Sequence, residues 1–328
     1  MRKTVSPVAS IATALLFVFV ASPSSALPSD HKQLEKNKDV VERFFRIANS
    51  GKVAELNAIV REDYVEHTDI RDFRAGLAEA IASNPATPIT ATYEAERHRI
   101  RGDIVRMIAE RDHVWTFSAV VGPQSRVARI DMFRLSDGQI AEHWAVVQQV
   151  PDKSQHNNDS FGLGQGPQDY KKQPRRISRV TTEKEADLNR RLGRAFYQYF
   201  WAGDIKGMDS IMGMGYIQHH PGHPDGGWPV MRENMVQTMA ILDVERAKLA
   251  SGQVPPRPPY GPVRILTEGN LVWVLVENGQ QPAQFNQYTV VDGRLGEHFG
   301  TYETFPLQRL NNNSFFGYGR GPAYDFSD

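Results

Sequence analysis

Two residues on neighbouring β-type runs carry the clearest chemistry in this chain. Asp131 lies inside Ile130-Asp-Met-Phe-Arg-Leu135, and His143 lies inside Gln139-Ile-Ala-Glu-His-Trp144. A carboxylate beside an imidazole is a usable acid/base pair. The Asp favours the charged ring while burial opposes it, which leaves the His titrating near neutrality. Such a pair can take a proton from the carbon next to a carbonyl, the step shared by aldol, isomerase and dehydratase chemistry. A positioned base contributes about 10²–10⁴-fold, so an oxyanion donor is needed too; Tyr64 and His67 are the nearest candidates. An Asp in an apolar strand is costly unless paired, which singles out Asp131. A structural use of His143 stays open, because a Glu-His-Trp at a strand end can bond backbone groups and brace its hairpin.

The elements that must position this pair occur twice. Ile130 to Trp144 is echoed by Phe285-Asn-Gln-Tyr-Thr-Val-Val-Asp-Gly-Arg-Leu-Gly-Glu-His-Phe299, and Tyr64-Val-Glu-His67 by Tyr216-Ile-Gln-His219. Asn157-Asn-Asp-Ser160 with Gly164-Gln-Gly-Pro167 returns as Asn311-Asn-Asn-Ser314 with Gly319-Arg-Gly-Pro322. A repeat of this length is a duplicated domain, since each copy can close its own core. Each copy reads helices first and strands last. Val40, Val41, Phe44, Phe45 and Ile47 fall at helical spacing before Gly51, and a short helix follows around Val53 to Val60. A third helix is expected over Phe73 to Ala82. In the second copy, Thr182 with Glu185 reads as a capping box, and a longer third helix is expected over Pro229 to Ala250. Strands are expected at Ile104 to Ala109, His113 to Val121, Val127 to Leu135 and Gln139 to Val150, with Asp-Gly hairpin turns at Asp137-Gly138 and Asp292-Gly293. Helices grouped before a curved antiparallel sheet give an α+β class. The expected boundaries are a leader over 1–26, a first domain over 33–155, a linker over 156–180, and a second domain with a Gly-rich tail over 181–328.

Bulk properties exclude some classes. The formal charge is zero over 328 residues, so no global field attracts nucleic acid. Lys171-Lys172 and Arg175-Arg176 flank Pro174 between the copies and read as a solvated linker. Arg2 and Lys3, the apolar stretch Val8 to Ala21 and the small residues Ser24-Ser-Ala26 read as a cleaved export signal. The expected location is therefore periplasmic or secreted, with no stable membrane association after cleavage. Cysteine is absent, which rules out disulfides, catalytic thiols and thiolate metal sites.

The Tyr-x-x-His segment and the closing hairpin, Asp131-x-Phe-Arg followed by Asp-Gly-x-Ile-x-Glu-His-Trp144, resemble the SnoaL-like branch of the nuclear-transport-factor-two-like superfamily. The resemblance covers about Leu34 to Pro151 and Thr182 to Asn313. It implies two tandem cone-shaped α+β barrels, each wrapping a curved sheet around its helices with a pocket between. It also implies pairing through the outer sheet face, here a covalent pseudo-dimer, and cofactor-free chemistry of the SnoaL-type polyketide cyclases. That chemistry uses a pocket Asp assisted by a His. This chain carries Ala145 and Gly300 at the Asp position, and Asp131 and Asn286 at the His position, so an unmodified cyclase mechanism does not transfer.

With position 145 facing inward as in the family, alternation places Ala141, His143 and Val147 inward too, and Asp131 shares its face with Phe133 and Leu135. Asp131, His143 and His67 are then the catalytic candidates in the first copy. Tyr64, Phe133 and Trp144 are expected to line its pocket, and Tyr216, His219, Asn286, Tyr288 and His298 that of the second copy. Asn286 cannot serve as a base. Glu142 is expected at the surface or in a domain interface. His219, His220, His223 and Asp225 crowd a proline-broken loop, yet their spacing matches no zinc signature, and no metal or other cofactor is expected. The glycine-rich runs at 162–166 and 317–321 do not join a strand to a helix, so phosphate binding is not expected. They read as structural tails packing one domain on the other. Two functions stay open: a cofactor-independent acid/base enzyme acting on a small apolar carbonyl compound, and a non-catalytic binding or interaction protein.

Overall fold

The structure is a computed structural model describing residues 30–151, 154–156, 158, 175–177, 179–253, 261–277, 282–304 and 310–313. The leader, both glycine-rich runs and most of the linker lie outside these residues.

The first unit opens with α1 (His31–Ser50), capped by the Asp30 side chain and ended by Gly51. Gly51 has φ 70, a left-handed conformation that glycine adopts without Cβ strain, and its N–H bonds the Ile47 carbonyl. A 3-10 turn (Val53–Ala58) leads into β1 (Val60–Glu66), then α2 (Phe73–Ala82) and the short α3 (Tyr93–Glu96). Strands β2 (Asp103–Glu110), β3 (His113–Val121), β4 (Arg126–Ser136) and β5 (Gln139–Gln149) complete it. The sheet order is β1-β5-β4-β3-β2, with β1 parallel to β5 and the remaining pairs antiparallel. The second unit repeats this plan: α4 (Glu183–Ala202), α5 (Ile205–Ile211), β6 (Met212–Gln218), α6 (Gly227–Ala250), β7 (Gly261–Glu268), β8 (Leu271–Glu277), β9 (Pro282–Val291) and β10 (Arg294–Thr304). Its sheet order is β6-β10-β9-β8-β7. The Thr182–Glu185 capping box is formed, and both Asp-Gly turns place two successive residues at positive φ. That pairing matches the tight hairpin turn whose twist suits the flanking strands.

Alternation along the strands sorts side chains onto two faces. In the first unit, Phe133 joins Phe44, Phe45, Tyr64, Leu77 and Ile81 in the concave interior. The convex face carries Trp115, Phe117, Ile130, Met132 and Trp144, which pack in one cluster with Leu266, Trp273, Leu275, Phe285 and Phe299 of the second unit. The two sheets therefore meet back to back, with Trp115 and Phe285 ring centroids 5.3 Å apart.

Polar contacts at the edge of this junction are reciprocal. Glu110 ends β2 and accepts from the Thr267 backbone N–H at 2.8 Å while pairing with Arg190 on α4. Glu268 ends β7 and accepts from the Ala109 N–H at 2.8 Å while pairing with Lys38 on α1 at 2.5 Å. Each unit thus offers a carboxylate to the other's edge strand and first helix, the self-complementary pattern of a two-fold interface.

Candidate functional site

The interior of the first unit holds a chain of charged side chains. β5 supplies His143, β4 supplies Asp131 and Arg129, and β1 supplies Glu66 and Tyr64. His143 Nε2 lies 2.8 Å from Asp131 Oδ1, and its Nδ1 lies 3.1 Å from Glu66 Oε2. Arg129 Nε donates to both Asp131 oxygens at 2.7 and 2.9 Å, and its Nη1 donates to the Arg99 carbonyl at 2.5 Å. Tyr64 donates to Glu66 Oε2 at 2.6 Å, and the Thr68 N–H donates to Oε1 at 2.9 Å. Phe133 stacks on the His143 ring, with centroids 4.7 Å apart at 18°, and Phe44 meets Phe133 edge-on at 5.1 Å. Asp131, His143, Glu66, Tyr64 and Phe133 are each 0 % exposed, so no water-sized space touches them. Among the described residues, a surface cleft lined by Arg61, Glu62, Asp63, Phe73 and Gln139 and another reaching from Asp30 to Gly138 are not lined by these groups.

Electrostatics follow from these contacts. Burial opposes charge on His143, but the Glu66 charge and the hydrogen bonds the ring donates to Asp131 and Glu66 outweigh it and raise the ring's pKa. Burial likewise opposes charge on Asp131 and Glu66. Arg129 above all holds Asp131 below its ordinary value, and His143 does the same for Glu66. His143 is therefore an imidazolium held between two carboxylates. Its stabilising share is complete below the ordinary imidazole value of about 6.5 and is lost as pH rises through the raised folded value. The shares of Asp131 and Glu66 are present above about 4 and are lost as pH falls through their lowered values.

The sequence places Asp131, His143, Tyr64 and Phe133 in one interior, and the structure brings these four together. His67 and Trp144 are corrected. Each neighbours an interior residue, and alternation turns it to the convex face. There His67 stacks on Trp144 with centroids 4.4 Å apart, bonds Glu142 at 2.9 Å, and has no place beside Asp131. Glu142 is buried, and also pairs with Arg134. Ala141 departs from simple alternation because the β4–β5 register shifts between Arg134 and Leu135, which puts Ile140 in the interior cluster. Glu66 and Arg129 were not singled out from the sequence. The signal lay in comparing the copies, where Glu66 aligns with Gln218 and Arg129 with Gln284.

The second unit holds the same arrangement in uncharged form. His298 Nε2 lies 2.7 Å from Asn286 Oδ1, and its Nδ1 lies 2.9 Å from Gln218 Oε1. Gln284 donates to Asn286 Oδ1 at 3.1 Å, Tyr216 lies beside Gln218, and Tyr288 stacks on His298 at 4.8 Å. His219 is corrected in the same way as His67: it faces outward, stacked on Phe299 at 3.8 Å and bonded to Glu297 at 2.8 Å. Burial, with His220, His223 and His219 nearby, holds the His298 pKa well below its ordinary value. The second unit is thus stabilised above about pH 6.5 and loses that share as pH falls. At Gly300 a Cβ would come within 3.0 Å of the His220 ring and 3.3 Å of His298, so the space an Asp would need is already filled. Among the described residues no group of three or more His, Asp or Glu side chains is arranged to hold a metal ion. His223 bonds Asn234, and Asp225 accepts from the Gln218 backbone.

Residues 41–143 match the SnoaL-like domain family. The first unit contains a SnoaL-like domain. No curated protein matches the chain. Solved structures similar to it each cover about one unit. TsrD from Streptomyces laurentii is 17 % identical, covering 35 % of this chain and 89 % of its own, with a TM-score of 0.28. An NTF2-like protein of unknown function from Mesorhizobium loti is 17 % identical, covering 37 % and 97 %, with a TM-score of 0.30. A SnoaL-like polyketide cyclase from Agrobacterium tumefaciens is 11 % identical, covering 34 % and 91 %, with a TM-score of 0.28. Within the SnoaL-like domain, the position facing Asp131 across the β4–β5 pair is Ala145, so Arg129 and His143 are the groups in contact with that carboxylate.

Proposed function

We propose that this chain is a non-catalytic, exported SnoaL-like protein, a covalent pseudo-dimer that presents two filled cones as one interaction scaffold. The observation that carries this reading is the state of His143. Both of its nitrogens face carboxylates, its ring is covered by Phe133, and every member of the chain is fully buried. A general base needs a free lone pair within reach of a substrate proton. An imidazolium between Glu66 and Asp131 has none, and the Asp131 oxygens are taken by Arg129 and His143. The leader-like pattern at Arg2, Lys3 and Val8 to Ala21 supports a role outside the cytoplasm. The acid/base reading on a small apolar carbonyl compound keeps one observation in its favour, the 2.8 Å contact of His143 with Asp131. It requires Phe133 to move and Arg129 to release the carboxylate.

Native mass spectrometry of the protein purified gently from its own host tests this. The expected result is the mass of the bare chain. A small molecule retained at one per chain, and lost in Asp131→Asn, would overturn the proposal.

A further inference from the structure

The described residues that follow each sheet, 154–156 with 158 and 310–313, bond to the other unit. After β10, the Leu310 N–H donates to Asp69 Oδ1 at 3.0 Å in the first unit. The Asn311 side chain donates to the Thr68 and Ile70 carbonyls at 2.7 Å each, and Asn313 donates to the Glu66 carbonyl at 2.8 Å. After β5, the Gln155 N–H donates to the Pro221 carbonyl at 3.0 Å in the second unit. His156 Nε2 donates to the His220 carbonyl at 3.0 Å, and Asn158 donates to the Gln218 carbonyl at 2.9 Å. The contacts correspond: Asn313 meets the Glu66 carbonyl as Asn158 meets the Gln218 carbonyl, and Glu66 is the counterpart of Gln218 in the repeat.

We infer that the two units are an arm-exchanged pair, in which each β1–α2-type loop is a docking site for an asparagine-bearing arm supplied by the other unit. The loop carbonyls of Glu66, Thr68, Ile70 and Gln218 accept from amide side chains of the opposite arm, and buried carbonyls are nearly always paired, so the arms help complete the loops. Their partner chemistry is therefore the amide side chains of a second copy of the same module, here fused into one chain. The loops held in this way carry the interior residues. Glu66 and Gln218 face the central histidines, and the Thr68 and His220 N–H groups bond back to them. Each unit's network is thus fastened from outside by the other unit. This follows from the contacts alone and is independent of whether the interior is catalytic.

Hydrogen exchange on the full-length chain tests it. Asn311→Ala with Asn313→Ala is expected to speed exchange of the Glu66, His67 and Thr68 amides by about tenfold or more, leaving Gln218, His219 and His220 unchanged. Asn158→Ala is expected to do the reverse. Unchanged exchange at Trp115 and Trp273 shows that each variant remains folded. Acceleration confined to the substituted arm or to its own unit, or no acceleration at all, overturns the arm exchange.

Discussion

Arg129→Gln alone is expected to lower the unfolding free energy by about 3–5 kcal/mol, the usual cost of removing one partner from a buried charge pair. The substitution leaves Asp131 and Glu66 facing a single imidazolium in a fully buried interior. The combined variant Glu66→Gln, Arg129→Gln, Asp131→Asn is expected to recover most of that loss. It installs the set found in the second unit, where Gln218 and Asn286 meet His298 and Gln284 donates to Asn286, on the corresponding strands. This is strong non-additivity between contacting residues, and urea unfolding of the single and triple variants measures it. Equal or greater destabilisation in the triple variant would show that the charges do more than compensate one another.

Lys38→Ala is the second large effect, again about 3–5 kcal/mol, because it strands Glu268. The Lys38 and Glu268 side chains are 0 % and 2 % exposed, and Glu35 and the Ile177 carbonyl complete the lysine's contacts. The pseudo-symmetric pair offers an internal control. Arg190 and Glu110 are 22 % and 17 % exposed, so water can replace part of what Arg190 supplies. Arg190→Ala is expected to cost about 1 kcal/mol. Similar losses in the two variants, read from urea unfolding, would mean that burial is not what sets the value of these contacts.

Much of the fold is legible in the sequence because its signals are local. Asp137-Gly138 and Asp292-Gly293 fix two hairpins, Gly51 ends a helix, and Thr182 with Glu185 starts one. β1 is harder to see. Its Arg61-Glu62-Asp63 centre is polar because the strand lies at the sheet edge, and its partner β5 is distant in sequence. The Asp131–His143 pair follows from alternation. The same alternation places His67, Trp144 and His219 outward, a consequence obscured by their membership of motifs whose other members face in. That Glu66, Arg129 and Asp131 all change to amides in the second copy is visible in the chain. It becomes meaningful only when the fold shows Glu66 and Asp131 bonded to one histidine and Arg129 bonded to Asp131. Lys38 with Glu268, and Asn313 with Glu66, depend on how the units pack, which no local pattern records.

The central claim is that His143 is a charged brace and His298 its uncharged counterpart. Nitrogen NMR of the two rings, assigned with His143→Gln and His298→Gln, addresses it most directly. The expected result at neutral pH is a His143 ring protonated on both nitrogens and a His298 ring in a single neutral tautomer. A neutral His143 titrating near the ordinary value of about 6.5 would contradict the claim and restore a base to the interior.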